Sequence, residues 1–312
     1  MPKIICKEFD EFERAMLRIN GRLTPIKSRT RDWCHHSVDL GDVTVSINQV
    51  GSGVIYRGAM QRGFYALFCP LTHAGSCRIY GRDMEPGLTA WFVPEIETYS
   101  YGREAFLWLG ITLEKKHVAQ WVAEQTEQFL PSLRANRVYV GNKKVLDALI
   151  ELVKRALHAD VTNPLAFQST RCKETLKRQV LDATYFATLS DGSNVERSYG
   201  RPRLSRRSIV QNAMSFIDAN LGDGVSLRDL CLACSVSPRT LHSVFLEEIG
   251  VSPHRYLTLK RLSAIHKALM RGHAEETVAS ICAKHGVWDF GRFANLYRRV
   301  FGVLPSQVLR GH

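Results

Sequence analysis

The chain has 312 residues, 45% of them hydrophobic, and a formal net charge of +12. That length supports two cored domains, and no apolar run of about 18 residues is present to span a bilayer. The opening MPKIICKEFDEFERAM turns acidic where an export signal needs an apolar stretch, and the eight cysteines show no regular framework, so reduced thiols in a cytoplasmic protein are expected.

Residues 7–20 are predicted to form a short amphipathic helix. From Val43 to Leu113 the pattern changes to short β-branched and aromatic runs broken by turn residues: VTVSINQV, GVIYRG, GFYALFCPL, SCRIYG, LTAWFV, TYSYG and AFLWLGITL. Their spacing predicts an antiparallel sandwich or small barrel. After Glu114 the period becomes helical in EKKHVAQWVAEQTEQFL, NKKVLDALIELVKRALHAD and the segment from Pro164 to Leu189. The stretch 190–206 is rich in Gly, Ser, Pro and charge, and reads as a linker. The expected division is therefore a domain over 1–189, a linker over 190–206 and an all-helical domain over 207–312. Charge follows the same division: from Arg201 to the C-terminus there are 16 basic against 8 acidic residues, the composition of a domain with a polyanionic partner.

No phosphate loop, dinucleotide fingerprint or nucleophile elbow occurs, and no enzyme or cofactor is expected. His35 and His36 are adjacent and would face opposite sides of a strand, and His73 has no acidic or His partner at short spacing, so no metal site is expected. Cys231 and Cys234 have metal-type spacing without a second pair, and read as packed thiols. Tyr65, Phe68, Trp91, Phe92 and Trp108 are candidate sandwich core, or alternatively the wall of an effector pocket. Arg57, Arg62, Arg78 and Arg82 could bind an anionic effector or form a solvated face.

The last third repeats itself. Leu227, Leu230, Cys231 and Val236 recur 51 positions later as Val278, Ile281, Cys282 and Val287; Leu241, Phe245, Gly250, Val251 and Pro253 recur 52 later as Phe293, Tyr297, Gly302, Val303 and Pro305. Each copy has the grammar of two helices and a tight turn. Ser226 with Asp229 forms a capping pair, and Leu227, Leu230 and Cys231 line one face of the first helix. Ser237 then caps a second helix that opens with Pro238 and turns Leu241, Val244 and Phe245 inward. In the second copy Gly286 takes the turn, Asp289 caps, and Phe293, Leu296 and Tyr297 face inward. This is the helix-turn-helix arrangement. A helix from Pro253 to about Met270 joins the copies as a strut of roughly 25 Å.

The segments SPRTLHSVFLEEIGVSPHRYLTLKRL and ICAKHGVWDFGRFANLYRRVFGVLPSQ closely resemble the AraC/XylS family of transcription activators, over about 105 residues from Ser208 onward. The wording GVWDFGRFANLYRRVFG looks most like the ethanolamine-operon regulator branch. The chain departs from the family pattern at Leu304 and Asn295. The resemblance implies a cupin-like N-terminal sandwich or barrel with flanking helices. That domain would sense a small-molecule effector and mediate homodimerisation, while the C-terminal unit binds double-stranded promoter DNA and contacts RNA polymerase at the nucleoid. An alternative keeps the DNA binding but has no effector, with control through oligomerisation or expression level.

Positions not turned inward are the candidate DNA contacts. On the first recognition helix these are Arg239, Thr240, His242 and Ser243, with Ser237 at its start; on the second, Phe290, Gly291, Arg292 and Asn295. Arginine near a helix N-terminus suits guanine, Asn295 suits adenine, and Phe290 a thymine methyl. Lys260, Arg261, Arg298 and Arg299 are candidate backbone clamps.

Overall fold

The run VTVSINQV places apolar residues at odd positions and Thr44, Ser46 and Asn48 between them, so its strand has two unlike faces. The computed structural model, which describes residues 4–72, 75–124, 135–165, 167, 169–189, 205–223, 225–271 and 276–310, shows what each face meets.

In chain order the elements are β1 (Ile4–Cys6), α1 (Phe9–Ala15), β2 (Ile19–Pro25), β3 (Trp33–Asp39), β4 (Val43–Val50), β5 (Val54–Met60), β6 (Phe64–Pro70), β7 (Cys77–Ile79), β8 (Arg82–Asp83), β9 (Leu88–Phe92), β10 (Thr98–Gly102) and β11 (Phe106–Glu114). Then come α2 (Lys115–Glu124), β12 (Arg137–Val140), α3 (Lys143–Thr162) and α4 (Thr170–Leu189). The helical region comprises α5 (Arg206–Asn220), α6 (Leu227–Cys234), α7 (Pro238–Ile249), α8 (Pro253–Arg271), α9 (Val278–Lys284), α10 (Phe290–Phe301) and α11 (Pro305–Arg310). No described helix is long and apolar enough to cross a membrane.

The strands form a sandwich. The larger sheet runs β1-β3-β4-β11-β6-β9-β12 and the smaller β2-β5-β10-β7-β8. On the larger sheet, Val43, Val45, Leu109 and Ile111 pack outward onto Leu146, Leu149, Val153 and Leu157 of α3 and Val180 of α4. The α3 residues recur at helical spacing, and Asn142 caps the helix by accepting from the Lys144 and Val145 amides. With helices on one side and the second sheet on the other, the larger sheet is covered on both faces. Its polar positions therefore point into the sandwich rather than into solvent.

The sandwich, the three later helices and the strut agree with the sequence reading, except that α4 begins at Thr170 rather than near Pro164, and residues 125–130 of the first helical segment lie outside the described residues. The helix expected over 7–20 is shorter. Arg18 adopts a positive φ of 67°, and Ile19 enters β2, where the register with β5 pairs Ile19 with Met60. Long-range pairing overrides the local helical period there. The strands β1, β3 and β12 carry no turn-bounded run in sequence and are defined by their partners: Ile5 opposite Cys34, and Val138 opposite Ala90. Of the expected linker, residues 190–204 lie outside the described residues, while Ser205 caps α5 by accepting from the Ser208 amide. His73 also lies outside them.

Candidate nucleic-acid interface and effector cavity

Both helix-turn-helix units follow their sequence grammar closely. In the first, the Ser226 hydroxyl and Asp229 carboxylate complete a capping box at the start of α6. Ser235 makes the turn with φ 51°, and Ser237 accepts from the Thr240 amide to start α7, with Pro238 in its first turn. In the second, Thr277 and Ser280 form the box, Gly286 has φ 68°, and Asp289 accepts from the Arg292 amide. Leu241, Phe245 and Tyr297 are fully buried and Phe293 nearly so. Each recognition helix ends on a left-handed glycine, Gly250 or Gly302, and the next helix opens with a proline, Pro253 or Pro305. The repeated Gly-Val-x-Pro wording is thus a stop signal followed by a start signal. One reading changes: Leu227 is 41% exposed, and Cys234 takes the inward slot beside Leu230. The Cys234 thiol faces the Ile209 carbonyl, and burial pushes its pKa up.

Ser237, Arg239, Thr240, His242 and Ser243 lie exposed on α7, as do Phe290, Gly291, Arg292, Asn295, Arg298 and Arg299 on α10. Arg239 and Arg292 have no carboxylate partner among the described residues. The hydroxyls are more engaged: Thr240 Oγ1 lies 2.9 Å from Ser237 Oγ, and Ser243 donates to Glu247 Oε1 at 2.8 Å. Lys260 sits apart from this surface, whereas Arg261 borders a cleft that Arg292 also lines. Lys260 is largely buried and bonds Asp218 Oδ1 at 2.6 Å, and Arg261 donates from Nη2 to the Val225 carbonyl at 3.2 Å.

A cleft of about 380 Å³ between the strut and the second unit brings Arg255, Thr258 and Arg261 together with Trp288, Asp289 and Arg292. Sequence reasoning missed Arg255 and Trp288. Burial, with the Arg299 guanidinium nearby, lowers the pKa of Arg255, and the Trp288 side chain is 74% exposed. An exposed tryptophan beside crowded guanidiniums is the signal that could have found this edge, but only once the strut and the turn are known to meet.

The sandwich encloses a second space of about 120 Å³. Register explains its lining. Asn48 lies opposite His35 and Trp108, and Ser46 opposite Ser37 and Gly110, which in turn faces Phe68. These rows share the inner face, and their polar groups chain together. The His35 Nδ1–Asn48 Oδ1 distance is 2.6 Å; Asn48 Nδ2 donates to Ser46 Oγ at 2.9 Å; Ser46 Oγ donates to the Gly110 carbonyl at 3.2 Å. Burial lowers the His35 pKa, so its ring is neutral near pH 7. Phe68, Phe92 and Trp108 line this cavity, whereas Tyr65 and Trp91 pack beneath the helices.

The smaller sheet is a wall shared by this cavity and the helical region. Val54 and Tyr56 of β5, and Thr98 and Ser100 of β10, line the cavity. Their alternates Ile55 and Tyr99 belong to the core of the helical region. Around that apolar contact, Tyr99 Oη donates to Glu248 Oε2 at 2.7 Å, Arg57 Nη1 reaches Asp218 Oδ2 at 2.6 Å, and Arg78 Nη1 donates to the Glu247 carbonyl at 2.7 Å. Arg57 and Arg78 are thus interdomain ties, neither effector ligands nor a solvated face. Burial raises the Glu248 pKa against the opposing pull of Tyr99, Arg206 and Arg78. A Cβ on Gly250 would come within 2.3 Å of the Tyr101 ring, so this glycine serves both the left-handed cap and the close approach of the two layers. Helix α1 is two-sided in the same way. Phe12 lines the cavity, while Phe9 packs on Phe301 and Glu13 accepts from Lys267 Nζ at 3.0 Å.

A family model described as a helix-turn-helix domain matches residues 230–311. Over 123 residues the chain is 37% identical to the XylDLEGF operon transcriptional activator of Pseudomonas putida, covering 38% of this chain and 36% of that one. It is 30% identical over 138 residues to XylDLEGF operon transcriptional activator 2 of the same organism, covering 43% of this chain and 83% of that protein. The activator RhaS of Escherichia coli O139:H28 is 29% identical over 170 residues, covering 54% of this chain and 56% of its own. The chain therefore spans about a third of the length of the first of these relatives. Among solved structures, the AraC-like transcriptional activator CuxR aligns with 84% of this chain and 93% of its own, at 14% identity and a TM-score of 0.45.

Proposed function

The chain belongs to the AraC/XylS family, and from that premise we propose that it is a sequence-specific DNA-binding regulator, an effector-responsive activator acting on promoter DNA in the cytoplasm. The observation that carries this reading is the pair of recognition helices. Each is capped at its N-terminal end, holds its apolar face in the core, and leaves an exposed arginine without a carboxylate partner, Arg239 or Arg292. Such ends suit successive major grooves about 34 Å apart. Ser237 and the helix N-termini hold phosphate, and Arg298, Arg299 and the cleft around Arg255 add backbone contacts. Lys260, though basic, serves the packing of the strut, while Arg261 borders the same cleft as Arg255. The reading includes no catalytic role, and places RNA polymerase and a second copy of the chain among the partners.

The cavity in the sandwich is the effector site of this reading. The supporting geometry is the shared wall: a ligand touching Val54, Tyr56 and Thr98 presses on the strands whose other faces carry Ile55, Arg57 and Tyr99. A ligand that fits one docking geometry better than another shifts the presentation of both helices.

The test is selection of binding sites from random duplexes. The expected result is a motif of two half-sites about 10 base pairs apart. Arg239→Ala should relax preference in one half-site and Arg292→Ala in the other, each by about 1–3 kcal/mol per contacted base pair. Enrichment of no motif by the folded protein would sink the reading.

A further inference from the structure

We infer that the sandwich cavity takes a small uncharged ring compound carrying a hydroxyl group; the inference rests on the effector-site reading above and names the class of ligand. Three observations on the cavity lead there.

The first is charge. Among the described residues, no lysine, arginine, aspartate or glutamate lines the cavity. A carboxylate or ammonium entering it would lose its hydration and find no counter-ion, which strongly disfavours either. Arg18, which bonds the lining residue Thr44, is already engaged: it donates to Thr44 Oγ1 and the Gly41 carbonyl, lies 3.7 Å from Asp39 Oδ1, and sits over the Phe64 ring.

The second is size and shape. A cavity of about 120 Å³ is close to the roughly 150 Å³ that accommodates a benzene ring in a protein core. Its apolar lining is aliphatic for the greater part, and one side of it is an aromatic group in which Phe12, Phe68 and Phe106 each contact Trp108 at centroid distances of 5.4–5.9 Å. An aromatic group on one side gives an entering ring edge and face partners at ordinary contact distance.

The third is the polar wall. Asn48 Nδ2 donates to Ser46, so Asn48 Oδ1 is the acceptor for His35 Nδ1. That tautomer leaves His35 Nε2 as an acceptor on a neutral ring, which matches a hydroxyl donor. On the opposite sheet Thr98, 5% exposed, carries an Oγ1 with no hydrogen-bond partner among the described residues. The cavity thus holds unmet hydrogen-bonding capacity of neutral type on two facing walls.

The experiment is calorimetric titration of the full chain at pH 7.5 with four probes of one shape: benzyl alcohol, toluene, benzoate and protonated benzylamine. Benzyl alcohol should bind at least about tenfold more tightly than benzoate or benzylamine, and about fivefold more tightly than toluene, the ratio for one net hydrogen bond. His35→Leu should bring the alcohol down to the level of toluene while toluene is unchanged, and Arg18→Gln should leave the alcohol unchanged. Benzoate or benzylamine binding as tightly as the alcohol would overturn the inference, as would no binding by any probe. Because the selected-duplex assay needs no ligand, its failure condemns the regulator reading, whereas failed titrations of a protein that still selects a motif condemn only the ligand class.

Discussion

The two helix-turn-helix units share one grammar and are held by different chemistry. The first unit meets the sandwich through polar ties into a buried interface: Tyr99 to Glu248, Arg78 to the Glu247 carbonyl, and Tyr101 against Gly250. The second meets it mainly through aromatic packing. Phe9 of α1 packs on Phe301 and on His266 of the strut, with centroids 6.2 and 5.6 Å away, and the Ser28 amide bonds the Arg299 carbonyl. Both attachments grip the C-terminal ends of the recognition helices and leave the N-terminal ends free. Duplication therefore conserves the end that meets the polyanion, while the opposite end is free to be tied down in whatever way the neighbouring layer allows.

The strongest test of this contrast compares the buried aromatic of each unit. Phe245→Ala should cost about 3–5 kcal/mol in denaturant unfolding, because Phe245 is fully buried in the core that also takes Ile55 and Tyr99. Phe293→Ala, at a slightly more open position, should cost less. Equal costs would mean that the difference in burial between the two positions carries no energetic weight.

Protons separate the attachments next. Burial holds the His266 pKa down to about 4, against 6.5 when free. The folded state is then the proton-poor one. Stability is complete above about pH 6.5 and falls as pH drops toward 4, by about 3 kcal/mol. Unfolding measured at both ends of that window, in the native chain and in His266→Leu, should show the loss only in the former. Glu248 has the opposite sign. Its pKa is raised by burial, so docking is best with the carboxyl protonated and weakens as pH rises through that raised value.

Tyr99→Phe removes the donor from a carboxylate that stays buried, a loss of about 1–3 kcal/mol. Adding Glu248→Gln should recover stability at pH 8 and little at pH 4; a recovery independent of pH would show that the carboxyl does not titrate in the docked state. The smallest effect concerns the cleft beside the second unit. Arg255→Ala should lower the salt slope of DNA binding by about 1, whereas Lys260→Ala, which removes an ion pair to Asp218, should leave the slope unchanged.

Much of this was legible in sequence. The repeat, its caps at Ser226, Ser237 and Asp289, and the inward residues of both recognition helices follow from offsets of three and four and from local turn chemistry, which act within a few residues. The exposure of Arg239 and Arg292 follows from the same helical period. The roles of Lys260, Arg57 and Arg78 were not legible, because a surface guanidinium and an interdomain tie look alike until Asp218 and the Glu247 carbonyl are placed opposite them. Leu227 was misjudged for a related reason: a short helix offers two plausible inward stripes, and only α5 packing against α6 selects the one that carries Leu230 and Cys234.

The sequence alone determined the helices after Glu114 and most strands between Val43 and Leu113, because apolar period, capping and turn preference are local properties of the chain, whereas β1, β2, β3 and β12 were set by the strands they pair with. It also determined the duplication and, through it, the family. The direction in which Thr44, Ser46 and Asn48 point was decided by tertiary structure. A polar row on a strand normally seeks water, and here α3 and α4 cover the apolar side of the sheet, so the polar side is turned onto the second sheet and becomes the wall of a cavity. The sharing of the β5 and β10 wall between that cavity and the helical region was likewise decided by long-range packing, since strand alternation supplies two faces without saying what lies against either.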